Sequence, residues 1–166
     1  MHCKRARVFL ALRAWLLAVA GAAIMIPAAS ADELSQGQKV YVPIYSHVYG
    51  GDRENPFQLA AILSVRNTDP TTSITLTAVD YFDSDGKLLR RYLEKPTEIG
   101  ALASVRYVVR ESDESGGSGA KFIVEWRAAV RVNPPILEGV MIGTRMQQGI
   151  SFVSRGQVIH ETGARP

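Results

Sequence analysis

Cysteine is all but missing from this chain: among 166 residues the one thiol is Cys3, inside the first basic segment. Beyond residue 31 there is none, which excludes disulfides, thiolate zinc sites and a cysteine nucleophile together, so stability has to come from packing. Histidine is scarce as well. His47 and His160 are the two beyond that point, and a zinc site would need both plus carboxylates gathered across the fold, in no recognisable ligand spacing. A membrane-spanning run is also lacking, because the charge-free apolar stretch from Ala14 to Ala29 falls short of the roughly 20 residues a bilayer requires.

What the N-terminus does carry is an ordered targeting signature. MHCKRARVFLALR is a basic segment, AWLLAVAGAAIMIPA an apolar one, and Ala29-Ser30-Ala31 an A-x-A site that predicts cleavage before Asp32. No cysteine follows the apolar run, so a lipoprotein cleavage site is absent and no stable membrane anchor is expected once the signal is removed. Removal also changes the charge. The net +3 comes from 19 basic and 16 acidic residues, and Lys4, Arg5, Arg7 and Arg13 leave with the signal, so 15 against 16 gives −1. A near-neutral domain without a Lys/Arg stripe lacks the electrostatic footprint of a nucleic-acid binder.

The remaining chain, long enough for one hydrophobic core, is a series of short apolar runs cut by Gly, Pro, Asn, Asp and Ser, the pattern of strands and turns. KVYVPIY, Lys39 to Tyr45, is the first candidate strand, with Pro43 pointing to an edge position or a bulge. Gln58 to Asn67 is helix-like in composition, yet it has no cap and runs into NTDP, which favours a strand with Leu59, Ala61, Leu63 and Val65 on one face. ITLTAVDYF, Ile74 to Phe82, is rich in β-branched and aromatic residues, and the turn DSDG leads from it into KLLRRYL as a hairpin. Past Pro96, Ala103, Val105, Tyr107 and Val109 alternate with Ser104, Arg106, Val108 and Arg110. ESDESGGSG reads as a flexible polar loop, KFIVEWR sets Phe122, Val124 and Trp126 on one face, and ILEGVMIGTR and ISFVSR close the series. No internal repeat is visible. Together these runs predict an all-β fold, an antiparallel immunoglobulin-like β-sandwich preceded by an N-terminal signal helix. The expected division is a signal peptide over 1–31, a flexible leader over 32–38, the sandwich over 39–160 and a tail over 161–166.

The segments VRNTDPTTSITLTAVDYFDSDGKLLRRY, GALASVRYVV, GGSGAKFIVEW and EGVMIGTRMQQGISFVSRG, in that order, resemble a small bacterial exported family known as domain of unknown function 3124. The resemblance covers most of the chain beyond residue 31 and implies no activity, ligand or catalytic residue. More loosely, a strand followed by D-x-D-G-K and a second strand resembles the immunoglobulin-like modules of bacterial envelope proteins, which bears on fold alone.

Chemical motifs are weak throughout. Around Ser151 the chain reads GISFV, with a valine where a nucleophile elbow needs its second glycine and no helix signal after it, so a serine hydrolase using Ser151 and His160 is disfavoured. A phosphate cradle lacks its Gly-Lys-Ser/Thr ending. The register of DYFDSDG that aligns Asp83, Asp85 and Gly86 with a calcium loop puts Tyr81 first and Tyr92 last, whereas Asp-Gly is a favoured turn pair. In ILEGVMIGTR, Val140 and Ile142 face one way and Gly139, Met141 and Gly143 the other. The two glycines beside Met141 make a shallow place that receives either a side chain of a neighbouring element or one of a partner. Arg145, Ser154 and Arg155, near strand ends, are candidates for ligand contact. Tyr45 and Tyr49, with Asp52 and Arg53 close by in sequence, form either a carbohydrate- or peptide-binding surface or a cover for the sandwich end.

The expectation that follows is an exported, periplasmic, non-enzymatic binding or structural module of the bacterial envelope, without a cofactor, that engages an envelope protein through a strand edge. A small-ligand or cation carrier and an unrecognised hydrolase acting through Ser151 or Asp83 are the alternatives.

Overall fold

The segment Ile74–Phe82 shows how this chain builds strands. Ile74 and Leu76 point into the core, the alternation slips by one residue, and Val79 and Tyr81 resume it. The slip is a β-bulge between Leu76 and Ala78, which lets one strand keep two apolar pairs inward across a change of phase. The computed structural model describes residues 33–145 and 148–162, and among these every regular element is a strand. The signal peptide and signal helix expected over 1–31 lie outside the described residues.

The strands are β1 Ser35–Pro43, β2 His47–Gly50, β3 Asn55–Gln58, β4 Ala60–Arg66, β5 Ile74–Phe82, β6 Leu88–Arg91, β7 Thr97–Ile99, β8 Ser104–Val109, β9 Lys121–Val132, β10 Ile136–Arg145, β11 Gln148–Arg155 and β12 Gln157–Glu161. One sheet runs β12-β1-β9-β5-β6 with β7 also on β5, a second runs β11-β10-β4-β8, and β2-β3 form a hairpin. The pairings are antiparallel. Buried residues of both large sheets make one cluster, with Trp126, Tyr81 and Phe122 its largest members beside Leu63, Val65, Leu76 and Met141. Two antiparallel sheets sharing one apolar interior form a β-sandwich.

Three expectations change. The leader over 32–38 is strand from Ser35 onward, because Gly37 and Gln38 join the ladder opposite Arg127 and Trp126 while Ser35 and Gln38 are buried and donate to Glu161 at 2.7 and 2.5 Å. Correspondingly the expected tail loses Glu161 to β12, and the Thr162 N–H reaches the Gly37 carbonyl at 2.8 Å. Pro43 holds the edge position expected of it, although β1 is an inner strand over most of its length. β1 lies between β9 and β12, but β12 pairs only Gln38 to Tyr41, so the missing N–H of Pro43 removes no bond on that side. Finally, the loop 111–119 is pinned rather than free: Ser46 and Ser84 donate backbone N–H groups to Gly117 and Gly116 carbonyls at 3.1 and 3.0 Å. The Ser84 hydroxyl donates to Gly116 and accepts from the Gly119 N–H, both at 3.0 Å.

Candidate docking surface

Antiparallel pairing brings residues directly opposite one another onto the same face of a sheet. In the four-stranded sheet Val153 lies opposite Val140, Val140 opposite Ile62 and Ile62 opposite Val108, so one aliphatic row crosses all four strands. This row is on the outer face, since the alternate residues Ala61, Leu63, Val65 and Met141 fill the interior. Val153 is 56% and Val108 44% exposed, and Ile142, one pair further along, is 42% exposed. The next row is polar: Arg155 opposite Glu138, Glu138 opposite Ser64, Ser64 opposite Arg106. Beyond it Ile136, Arg66 and Ser104 align.

A hollow of about 780 Å³ lies on this face, lined by Ile62 and Val140 together with Ser64 and Ser104, with Arg66, Arg106 and Leu102 around it. Leu102 is 68% exposed with φ at +55°, in the turn closed by the Ala103 N–H to the Gly100 carbonyl at 3.1 Å. That turn position favours glycine or asparagine, so a leucine there carries backbone strain of about 1–3 kcal/mol.

A buried polar staple holds Leu102 in place. Asn67 donates its Nδ2 to the carbonyls of Thr72, Gly100 and Ile99 at 2.8, 2.9 and 3.3 Å, and its Oδ1 accepts the Asp69 N–H at 3.0 Å. Asp69 Oδ1 accepts the N–H groups of Thr71 and Thr72 at 3.0 and 2.8 Å, and the Asp69 carbonyl takes the Leu102 N–H at 3.1 Å. The Thr71 N–H above all holds the Asp69 carboxyl below its ordinary range, with further help from Thr72 and Asn133 against the opposing effect of burial.

The residues singled out from sequence separate. Met141 is fully buried, so it is core and not binding surface. A Cβ on Gly139 would meet the Pro43 carbonyl and Ile44 Cδ1 at 2.7 Å, and one on Gly143 the Gln58 carbonyl at 2.6 Å, so neighbouring elements already fill the shallow place beside Met141. Ser154 is a strut: its hydroxyl donates to the Pro43 carbonyl at 2.5 Å and ties β11 to β1. Tyr45 is half-buried and meets Phe152 edge-on at 5.5 Å, covering the core, whereas Tyr49 is exposed on the β2–β3 hairpin and bonds His47 Nε2 at 3.0 Å. Arg145 closes β10 opposite Gln148. Arg155 is exposed on the polar row, 3.8 Å from Glu138.

Ser151 lies opposite Ile142 in one sheet and His160 opposite Lys39 in the other. Asp83 turns its Oδ1 onto the N–H groups of Asp85 and Lys87 at 3.0 and 2.8 Å, and Gly86 takes φ of +86°, which is turn chemistry. Among the described residues no three His, Cys, Asp or Glu side chains gather as a metal ion would require. A separate cleft of about 540 Å³ opens between β1, β12 and β10, but its carboxylates are engaged: Glu161 by Ser35 and Gln38, Glu33 by Arg131, Glu138 by Arg155.

Sequence reasoning found the alternation yet missed the aliphatic row and the staple. The available signals were Ile62 and Val108 on the face opposite the core residues, and the closely spaced Asn67 and Asp69 before Pro70, a pattern of side chains that bond their own backbone.

The solved crystal structure of Thermotoga maritima 1070 is similar at 12% identity and a TM-score of 0.43, over 75% of this chain and 97% of that one. No curated protein matches the chain. The model of the family described as protein of unknown function (DUF3124) matches residues 37–159, and the chain therefore belongs to that family.

Proposed function

We propose that this protein is an exported, non-enzymatic binding module that docks another protein of the bacterial envelope on the outer face of its β11-β10-β4-β8 sheet. The observation that carries this reading is the outward row Val153–Val140–Ile62–Val108, exposed at Val153 and Val108 and half-buried at Val140 and Ile62, because an aliphatic stripe left across all four strands is surface another protein can bury. The basic and apolar N-terminal segments and the A-x-A site before Asp32 support export by a cleaved signal peptide and periplasmic residence.

The centre of the sandwich supports an immunoglobulin-like reading of its type. The pairs β4–β8, β5–β9 and β5–β6 correspond to the B–E, C–F and C–C′ pairs of a variable domain. The outer strands are exchanged, β1 pairing with β9 and β10 with β4.

Docking on the face is favoured over docking at the β12 edge. β12 is exposed along its length and has a free side, yet the register shift opposite Lys39/Val40 distorts it, and such bulges discourage addition of a further strand. The test is crosslinking in the native host with the wild-type chain and with the double variant Val108→Asp/Val153→Asp. The variant is expected to melt like the wild type and to lose the crosslinked partner. Recovery of the same partner by the folded variant overturns the assignment.

A further inference from the structure

We propose that the hollow on this sheet face recognises an acidic, aliphatic-bearing segment of the partner protein, its apolar side chain seated on Ile62 and Val140 and its carboxylates on Arg66 and Arg106. The inference rests on the docking role of the face and goes further by fixing the partner's chemistry. Charge is the first argument. The face carries Arg66, Arg106 and Arg155 against one carboxylate, Glu138, whose cation is Arg155 at 3.8 Å. Among the described residues no carboxylate pairs with Arg66 or Arg106, and Arg66 instead donates its Nε to Ser64 Oγ at 3.1 Å. Two guanidinium groups in a hollow of mixed lining, aliphatic at Ile62 and Val140, match carboxylates with aliphatic neighbours, since the planar fork of arginine binds a carboxylate through two parallel bonds.

Leu102 is the second argument. A leucine at positive φ, 68% exposed beside the hollow and held by the bond from its N–H to the Asp69 carbonyl, is strained and solvent-facing in the free protein. Strain of this kind is retained where the surroundings use it, and covering Leu102 with a partner's aliphatic group gives it a use. A lipid surface fits less well. Interfacial binding draws on Trp and Phe with many basic groups, whereas the rows of this face are Val, Ile, Ser, Arg and Glu with Leu102 beside them, without an aromatic residue.

The test uses the isotope-labelled protein purified from its own host, titrated by NMR with a short peptide of alternating glutamate and valine. A lysine-valine peptide and vesicles of anionic phospholipid serve as competing probes. The acidic peptide should shift the amides of Ile62, Val140 and Arg106 and bind more weakly as salt is raised. Arg66→Glu/Arg106→Glu should weaken it by at least about tenfold, because like charges brought together at an interface are strongly disfavoured. Leu102→Gly should relieve the turn, leave the melting temperature equal or higher, and still weaken binding. Equal binding of the two peptides at the hollow overturns the acidic specificity while leaving the docking face standing. Shifts produced by vesicles and by neither peptide overturn both readings in favour of a membrane surface, and no shift on this face with any probe overturns the acidic recognition while the docking role stands or falls by the crosslinking.

Discussion

Single residues decide where this molecule has slack. Gly143 has none: a methyl group there would lie 2.6 Å from both the Gln58 carbonyl and Phe57 Cε1 and 2.8 Å from Leu59 Cδ2. Because one of those atoms is backbone, Gly143→Ala should overpack the interior and lower stability by about 1–3 kcal/mol, read as a lower urea midpoint. An unchanged midpoint would mean that the β2–β3 hairpin moves aside at no cost. Asp69 governs a different response. Its carboxyl titrates below the unfolded value of about 3.9, so its stabilising effect is complete above that value and is lost as pH falls through the lower folded value. Asp69→Asn should therefore flatten the acid limb of the stability curve below about pH 4, measured as denaturation midpoint against pH. A limb as steep as that of the wild type would place the acid sensitivity in other carboxylates.

At the scale of elements, the connections matter as much as the strands. The serine of the DSDG turn is the bolt of the loop that follows β8: Ser84 meets Gly116 and Gly119 through its hydroxyl, and Lys121 Nζ reaches the carbonyls of Asp83 and Ser84. Two turns distant in sequence are thus one structural unit. Ser84→Ala removes two hydrogen bonds and should speed exchange of the Gly119 amide, with little change at the interior amides of β5 and β9. Hydrogen exchange resolved by residue checks this, and a Gly119 amide as slow as before would assign the ordering to the backbone bonds of Ser46 and Ser84. The same reasoning explains β10 and β11. Gly139 and Gly143 let β1 and the β3–β4 segment approach closely, and that approach turns the apolar alternates, Val140 and Ile142, outward with Val153.

Over the whole molecule the sandwich divides its apolar residues between an interior and several outward positions, among them the row Val153–Val140–Ile62–Val108, where the proposed docking role lives. The alternation of Leu59, Ala61, Leu63 and Val65, and of Phe122, Val124 and Trp126, was legible in the sequence because period-2 burial is local: it needs only one sheet and one core. The strand Ile74–Phe82, its turn at Asp83 to Gly86 and the core place of Trp126 were legible for the same reason. Met141 was ambiguous, since two flanking glycines predict that something fills the space beside it and say nothing of whether it belongs to this chain. Register was not legible. Val108, Ile62, Val140 and Val153 come from four segments spread over the chain, and they share a row because of pairings whose register is set by packing of the whole sheet. What the sequence by itself determined is strand chemistry and turn chemistry, both properties of neighbours along the chain. Only the tertiary structure decided that Met141 is core, that Ser154 is a strut, and that an aliphatic row with Arg66 and Arg106 beside it faces outward, because those facts depend on which distant strands lie side by side.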